Sequence, residues 1–304
     1  MTNKITIHLA SPRGFCAGVV RAIEVVEKSL AKFGSPIYVK HEIVHNPYVV
    51  QSLAEKGAKT VEDVDDIPTG SVVVFSAHGS PPEDFTKAKA RNLKIIDATC
   101  PLVTRVHNEA LKYSKEGKRI ILIGHKGHAE VRGTMGQTSM ALVDGRESMN
   151  LPNWDSNSEI AILTQTTLSV DDTQKTVDHI KSQFPNNLVR NDVCYATTNR
   201  QHAVKQLTEL VGLVLVIGAQ KSSNCNRLRE VAESKGVPAY LINSANDIDM
   251  NWTKGVSKIG ITSGASTPET LVDQVITKLK PTRISTLEGI SEDVTFVLPK
   301  ELRD

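Results

Sequence analysis

Apolar runs of strand length alternate with segments of helical periodicity along almost the whole chain. The strand candidates are KITIHLA, PIYVKHEI, SVVVFSAHG, LKIIDATC, RIILIGHKG, EIAILTQTT, LVLVIGAQ, PAYLINS and SKIGITSGA. Several are rich in Val and Ile without alternation, the pattern of strands covered on both faces of a parallel sheet. Between them the spacing predicts helices over Val19–Lys32, Pro47–Lys56, Glu83–Arg91, Leu102–Lys115, Val170–Gln183, Asn199–Val211, Asn226–Ser234 and Pro268–Lys278. This alternation predicts an α/β architecture with the working residues in loops that follow strands. Beyond Pro281 the rhythm is lost, and the chain reads as a tail packed on the body.

Within that rhythm lies a repeat. Cys16, Cys100 and Cys194 stand in GFCAGVVRAIE, DATCPLVTRVHNEA and DVCYATTNRQHAV, each between a strand and a helix, with spacings of 84 and 94 residues. A polar loop follows each at similar distance: EIVHN with His45, IGHKGH with Gly124, IGAQKSSN with Gly218. A second follows further on: SAHGS with His78, LTQTT with Thr166, TSGAST with Ser266. A long period occurring three times predicts three similar α/β lobes around a pseudo-threefold axis. The expected lobes are residues 1–98, 99–191 and 192–280, with 281–304 as the tail. On that arrangement the cysteines meet at the axis and the six loops ring one cavity.

Composition narrows the partners. With 36 basic and 34 acidic residues, the chain advertises neither a nucleic-acid surface nor a polybasic membrane anchor. No stretch reaches the roughly 20 apolar residues of a membrane span, and the N-terminus reads as a first strand rather than a signal peptide. Four widely spaced cysteines are not a disulfide scaffold and suit a reducing cytoplasm.

Helix starts carry partial positive charge, which favours thiolate. Three thiolates brought together repel and need a cation between them. Catalytic zinc with an open position is one answer; an iron–sulfur cluster with one iron lacking a cysteine is the other. The first would make a hydrolase or lyase without a redox step. The second suits a redox enzyme, or a non-catalytic sensor that signals by losing its cluster. Cys225, in KSSNCNRLRE, is out of step with the others and reads as non-ligating. His45, His78, His128, Ser222, Ser223, Asn224 and Ser266 offer imidazoles, hydroxyls and an amide for a phosphate group. Neither GxGxxG nor GxxxxGK[ST] is present, so the ordinary nucleotide cradles are not indicated. Glu130, placed on a loop by the pattern, is the candidate proton donor, and Thr166 offers a hydroxyl to the same substrate. Ser169 followed by Asp172 reads as a helix cap.

Taken together, RGFCAGV, IVHN, SAHG, DATCPLV, GTMGQ, TQTTLSVDDT, CYATTNRQ and SSN closely resemble the 4-hydroxy-3-methylbut-2-enyl diphosphate reductase (IspH/LytB) family over nearly the whole chain. The resemblance implies three α/β lobes enclosing one [4Fe-4S] cluster, seen as [3Fe-4S] after loss of its unique iron. Cys16, Cys100 and Cys194 would be its ligands, with the substrate hydroxyl on the cysteine-free iron. His45, His78, His128, Ser222, Asn224 and Ser266, with Ser223, would hold the diphosphate. Glu130 would be the proton donor, with Thr166 near the reacting group. The implied reaction consumes two electrons and two protons and yields isopentenyl and dimethylallyl diphosphate, the last step of the methylerythritol phosphate route. Electrons would come from reduced ferredoxin or flavodoxin, and the enzyme would be a cytoplasmic monomer or homodimer. Family members often carry Ser or Thr at the position of Cys225.

Overall fold

The computed structural model describes residues 5–147 and 149–303. The first part of the chain forms β1 (Thr6–Leu9), α1 (Ala17–Phe33), β2 (Ile37–Lys40), α2 (Pro47–Glu55), β3 (Ala58–Val61), β4 (Val72–Phe75), α3 (Pro82–Ala90) and β5 (Lys94–Asp97). Then come α4 (Pro101–Lys115), β6 (Arg119–Ile123), α5 (Ala129–Met135), β7 (Ala141–Val143), β8 (Ile160–Thr164), α6 (Val170–Gln183) and β9 (Asn187–Val189). The last part gives α7 (Tyr195–Thr208), β10 (Leu213–Ile217), α8 (Ser223–Ser234), β11 (Ala239–Ile242), β12 (Lys258–Ser263), α9 (Glu269–Leu279) and β13 (Arg283–Thr286). None of the described helices is long and apolar enough to cross a membrane.

These strands make three parallel-sheet lobes, ordered β3-β2-β4-β5, β7-β6-β8-β9 and β11-β10-β12-β1-β13. Every sheet has the same plan. Counting from β2, β6 and β10, the first strand of each sheet lies second, the next flanks it on the outside, and the strands in third and fourth place extend the other side. In the last sheet that fourth place is taken by β1, from the head of the chain, with Ile7 opposite Ile259. The expected tail supplies β13, which pairs with β1 in register Ile7 to Ile284. The described residues fall into two compact units. One holds the chain up to Ala17, His45–Val49 and Tyr195–Thr295; the other holds Gly18–Val44, Val50–Cys194 and the chain from Phe296 onward.

The Val/Ile runs owe their lack of alternation to burial on both faces. In β10, Leu213, Leu215 and Ile217 pack with Leu271, Val272 and Val275 of α9, while Val214 and Val216 pack with Val204 and Leu207 of α7 and Leu228 of α8. In β6, Ile121 and Ile123 join Val177 and Ile180 of α6, and Ile120 and Leu122 join Val106 and Ala110 of α4. Each fully buried Leu or Ile contributes about 1.5–3 kcal/mol relative to exposure. Functional loops therefore leave a stiff base at the carboxyl ends of the strands.

The pattern did not predict β3, β7, β9 and β13. All four are edge strands of three or four residues and mostly polar or half-exposed, so the sheet partner rather than the sequence makes them strands. The pattern also missed α5, whose short run contains Gly133.

Candidate active site

Cys16, Cys100 and Cys194 each stand immediately before a helix, respectively α1, α4 and α7. All three are half-buried. Each donates its backbone N–H to a loop carbonyl: Cys16 to Ala265 at 3.1 Å, Cys100 to Ala77 at 3.0 Å, Cys194 to Thr166 at 3.0 Å. The accepting loops leave β12, β4 and β8, which hold the third place in the order of each sheet. Sequence spacing predicted three similar settings, and the backbone contact is repeated in all three. Three soft thiol donors at positive helix ends fit an iron–sulfur group.

The remaining candidates fall into two sets, one in each unit. The first contains Cys16, His45, Ser222, Ser223, Asn224 and Ser266. Ser222 caps α8, its Oγ accepting from the Cys225 N–H at 3.3 Å. The Asn224 Oδ1 accepts the Ala265 N–H at 3.1 Å and so steadies the loop that takes the Cys16 N–H. The Ser266 Oγ donates to the His45 carbonyl at 3.1 Å. All four of Ser222, Ser223, Asn224 and Ser266 are buried.

The second set contains Cys100, Cys194, His78, His128, Glu130 and Thr166. Glu130 is not on a loop: it is the second residue of α5, 3% exposed. Its Oε1 accepts the Thr166 N–H at 2.6 Å and its Oε2 accepts the Thr166 hydroxyl at 2.9 Å. Burial nevertheless pushes the carboxyl from 4.5 up to about 7, against the pull of both hydrogen bonds. An acid so poised gives or takes a proton at neutral pH. The Thr166 carbonyl meanwhile receives the Cys194 N–H, so one residue ties the acid to a cysteine loop. His128 caps α5, its Nδ1 accepting the Glu130 N–H at 3.2 Å. When neutral, the ring then carries its proton on Nε2. Its ring meets His78 edge-on at 6.0 Å between centroids. Ser169 caps α6 through the Asp172 N–H, as the sequence suggested.

His41 belongs beside this set although the repeat does not select it. It adopts φ +64° directly after β2, bonds Glu62 at 2.8 Å, and its ring lies 5.8 Å from that of His78. Only its neighbour in KHEIVHN keeps step with the spacing, so the sequence offered no signal for it beyond a second histidine in the loop.

Two groups of glycines explain motifs that carry no chemistry themselves. In GTMGQ, a Cβ on Gly133 would stand 2.9 Å from the Gly79 backbone, so its absence lets α5 lie against the His78 loop. A Cβ on Gly136 would overlap Pro81, and the Gln137 amide donates to the Ser80 carbonyl at 3.3 Å. Gly133→Ala is expected to destabilise the protein by about 1–3 kcal/mol through overpacking, measured as a lowered urea midpoint. Gly218 and Gly264 leave the space that the Cys225 Sγ fills. That thiol is fully buried among Val204, Leu228 and Ala232, and burial raises its pKa, so it stays protonated. Cys225→Ser is expected to keep iron, sulfide and turnover at the unmodified level; loss of iron would make Cys225 a ligand.

The model of the LytB protein family matches residues 7–280. A 4-hydroxy-3-methylbut-2-enyl diphosphate reductase of Aromatoleum aromaticum is 50% identical, over 98% of this chain and 97% of its own. One from Pseudomonas putida is 52% identical over 98% of each chain. Among solved structures, the E-1-hydroxy-2-methyl-but-2-enyl-4-diphosphate reductase of Plasmodium falciparum superposes with a TM-score of 0.95 at 40% identity, covering 99% of this chain and 97% of that one. A second, described as the terminal enzyme of the non-mevalonate pathway, gives 0.65 at 32% identity, over 91% of this chain and 99% of its own.

Proposed function

The chain belongs to the LytB protein family, and on that premise we propose that it is an enzyme that reduces 4-hydroxy-3-methylbut-2-enyl diphosphate, the molecule its relatives are named for. The observation that carries this reading is the pairing of three identically held cysteines with a buried, nearly neutral carboxyl. Cys16, Cys100 and Cys194 hold an iron–sulfur cluster, of the [4Fe-4S] type or [3Fe-4S] after loss of one iron. When bound, that cluster supplies single electrons and a Lewis-acidic iron.

The protein's own residues do the rest. Glu130 holds a proton at Oε1 or Oε2 and delivers it to the departing hydroxyl oxygen as the allylic C–O bond breaks, so that water leaves. Two electrons and a second proton complete the carbon product as isopentenyl or dimethylallyl diphosphate. Thr166 fixes the carboxyl from two directions, which keeps its proton aimed rather than free to rotate. The Nε2–H of His128, with His45 and His78, binds the diphosphate together with Ser222, Ser223, Asn224 and Ser266. That remote anchor positions a small apolar carbon skeleton which offers few other handles. Electrons reach the site singly from a reduced ferredoxin or flavodoxin, and a reducing cytoplasm keeps the three thiols usable. Anaerobic turnover with reduced flavodoxin tests the reading: both five-carbon diphosphates are expected, and an unchanged substrate in the presence of an intact cluster would overturn it.

A further inference from the structure

Each cysteine helix also carries an arginine that no sequence motif singled out. Arg21 follows Cys16 by five residues, Arg105 follows Cys100 by five, and Arg200 follows Cys194 by six. All three reach the same relative place. The Arg21 Nη1 donates to the carbonyls of Ala98 and Thr99, both at 3.1 Å, and Ala98 lies two residues before Cys100. The Arg105 Nη2 donates to the Asp192 Oδ1 at 3.3 Å, and Asp192 lies two residues before Cys194. The Arg200 Nη2 donates to the Gly14 carbonyl at 2.8 Å, and Gly14 lies two residues before Cys16. Followed along the chain, the contacts close a cycle. The helix after Cys16 holds the approach to Cys100, that after Cys100 holds the approach to Cys194, and that after Cys194 holds the approach to Cys16.

We propose that Arg21, Arg105 and Arg200 are positioning residues for the three cysteines, each fixing one thiol loop from the helix that follows another. The proposal rests on the reading of Cys16, Cys100 and Cys194 as cluster ligands. Each thiol loop is thereby held at two points: the cysteine N–H on a loop carbonyl, and an arginine on the residue at position −2. Two of the three clasps are built as interior structure. Arg21 is 9% exposed and also donates from Nε to the Val297 carbonyl at 2.7 Å. Arg200 is fully buried and paired with Glu292 at 2.9 Å. Buried guanidinium groups spend their fixed fork of donors where planar, multiple contacts are needed, which a lysine cannot reproduce. Their charge acts in the same direction, because three thiolates gathered together repel. Groups that orient metal ligands in this way typically strengthen metal binding by about 10- to 100-fold.

The clasp at Arg105 gives the cleanest test, since its side chain is 46% exposed and its loss leaves no cavity. The reconstituted protein is placed anaerobically with an iron chelator, and the rate of iron release is compared among unmodified chain, Arg105→Gln, Arg105→Lys and Phe184→Leu. Phe184 is buried in the apolar cluster of β6 and α6, so its variant reports general loosening. Arg105→Gln is expected to release iron about 10- to 100-fold faster, the usual cost of losing a group that orients a ligand. Arg105→Lys, which keeps a cation for Asp192, is expected to fall between. Phe184→Leu is expected to lower the melting temperature at least as much yet release iron at the unmodified rate. Release from Arg105→Gln at the unmodified rate would overturn the arginine role, as would equally fast release from Phe184→Leu. An unmodified chain that takes up no iron and sulfide overturns the cluster reading itself, and the proposal with it.

Discussion

Glu130→Gln is expected to lower turnover about 100- to 10,000-fold while leaving the affinity for the allylic diphosphate near its original value. The amide keeps the size of the carboxyl and can still meet the Thr166 N–H through its oxygen, so the pocket stays formed. What it lacks is a proton to give. The pH profile carries the same signature. A carboxyl raised from 4.5 to about 7 is protonated below pH 7, so turnover is expected to fall as pH rises through 7, and that limb should vanish in the variant. Stability follows with a fixed sign. Between pH 4.5 and 7 the folded chain holds a proton that the unfolded chain has released, so this group's contribution is lost as pH rises through 7. Glu130→Gln should therefore be the more stable form above pH 7, measured by denaturant melts at pH 6 and 8. Near-normal turnover in the variant would remove Glu130 from the proton-donor role.

Cys100→Ser carries the second large expected effect: loss of bound iron and sulfide, and with them all reduction. A hydroxyl is a harder and far less acidic donor than a thiol, and with only three cysteines in step there is no spare ligand to take its place. The fold should survive. Cys100 holds its loop through the backbone N–H to Ala77, which serine retains, and Pro101 still begins α4. The contrast with Cys225→Ser is diagnostic, because Cys225 is out of step with the other three and its thiol is buried in an apolar cluster, where burial keeps it protonated. Iron and sulfide analysis of the two variants side by side measures it. Full occupancy in Cys100→Ser would contradict the ligand assignment.

The central strands were legible because burial on both faces leaves an unbroken apolar run, as in LVLVI of β10 and RIILI of β6. Edge strands such as NLV of β9 were not, since a three-residue segment with no fully buried side chain carries almost no pattern. The three cysteines were legible through recurrence: spacing placed each at a strand-to-helix junction, and the shared N–H contact follows from that placement. Glu130 was recognised as chemistry but misplaced on a loop, because Gly133 and Gly136 disguised its helix. Its burial, and hence its raised pKa, could not be read from neighbours in sequence, and Thr166, whose hydrogen bonds pull the other way, lies 36 residues away. The arginine clasps were invisible for the same reason. Two of their three acceptors are backbone carbonyls, which every residue possesses and no sequence advertises.

Iron and acid-labile sulfide counts on anaerobically purified protein, with absorption and EPR spectra before and after adding the allylic diphosphate, test the central claim most directly. The account predicts an iron–sulfur cluster whose spectrum changes on addition of that diphosphate. Equimolar zinc without sulfide, or no metal after anaerobic reconstitution, would contradict it.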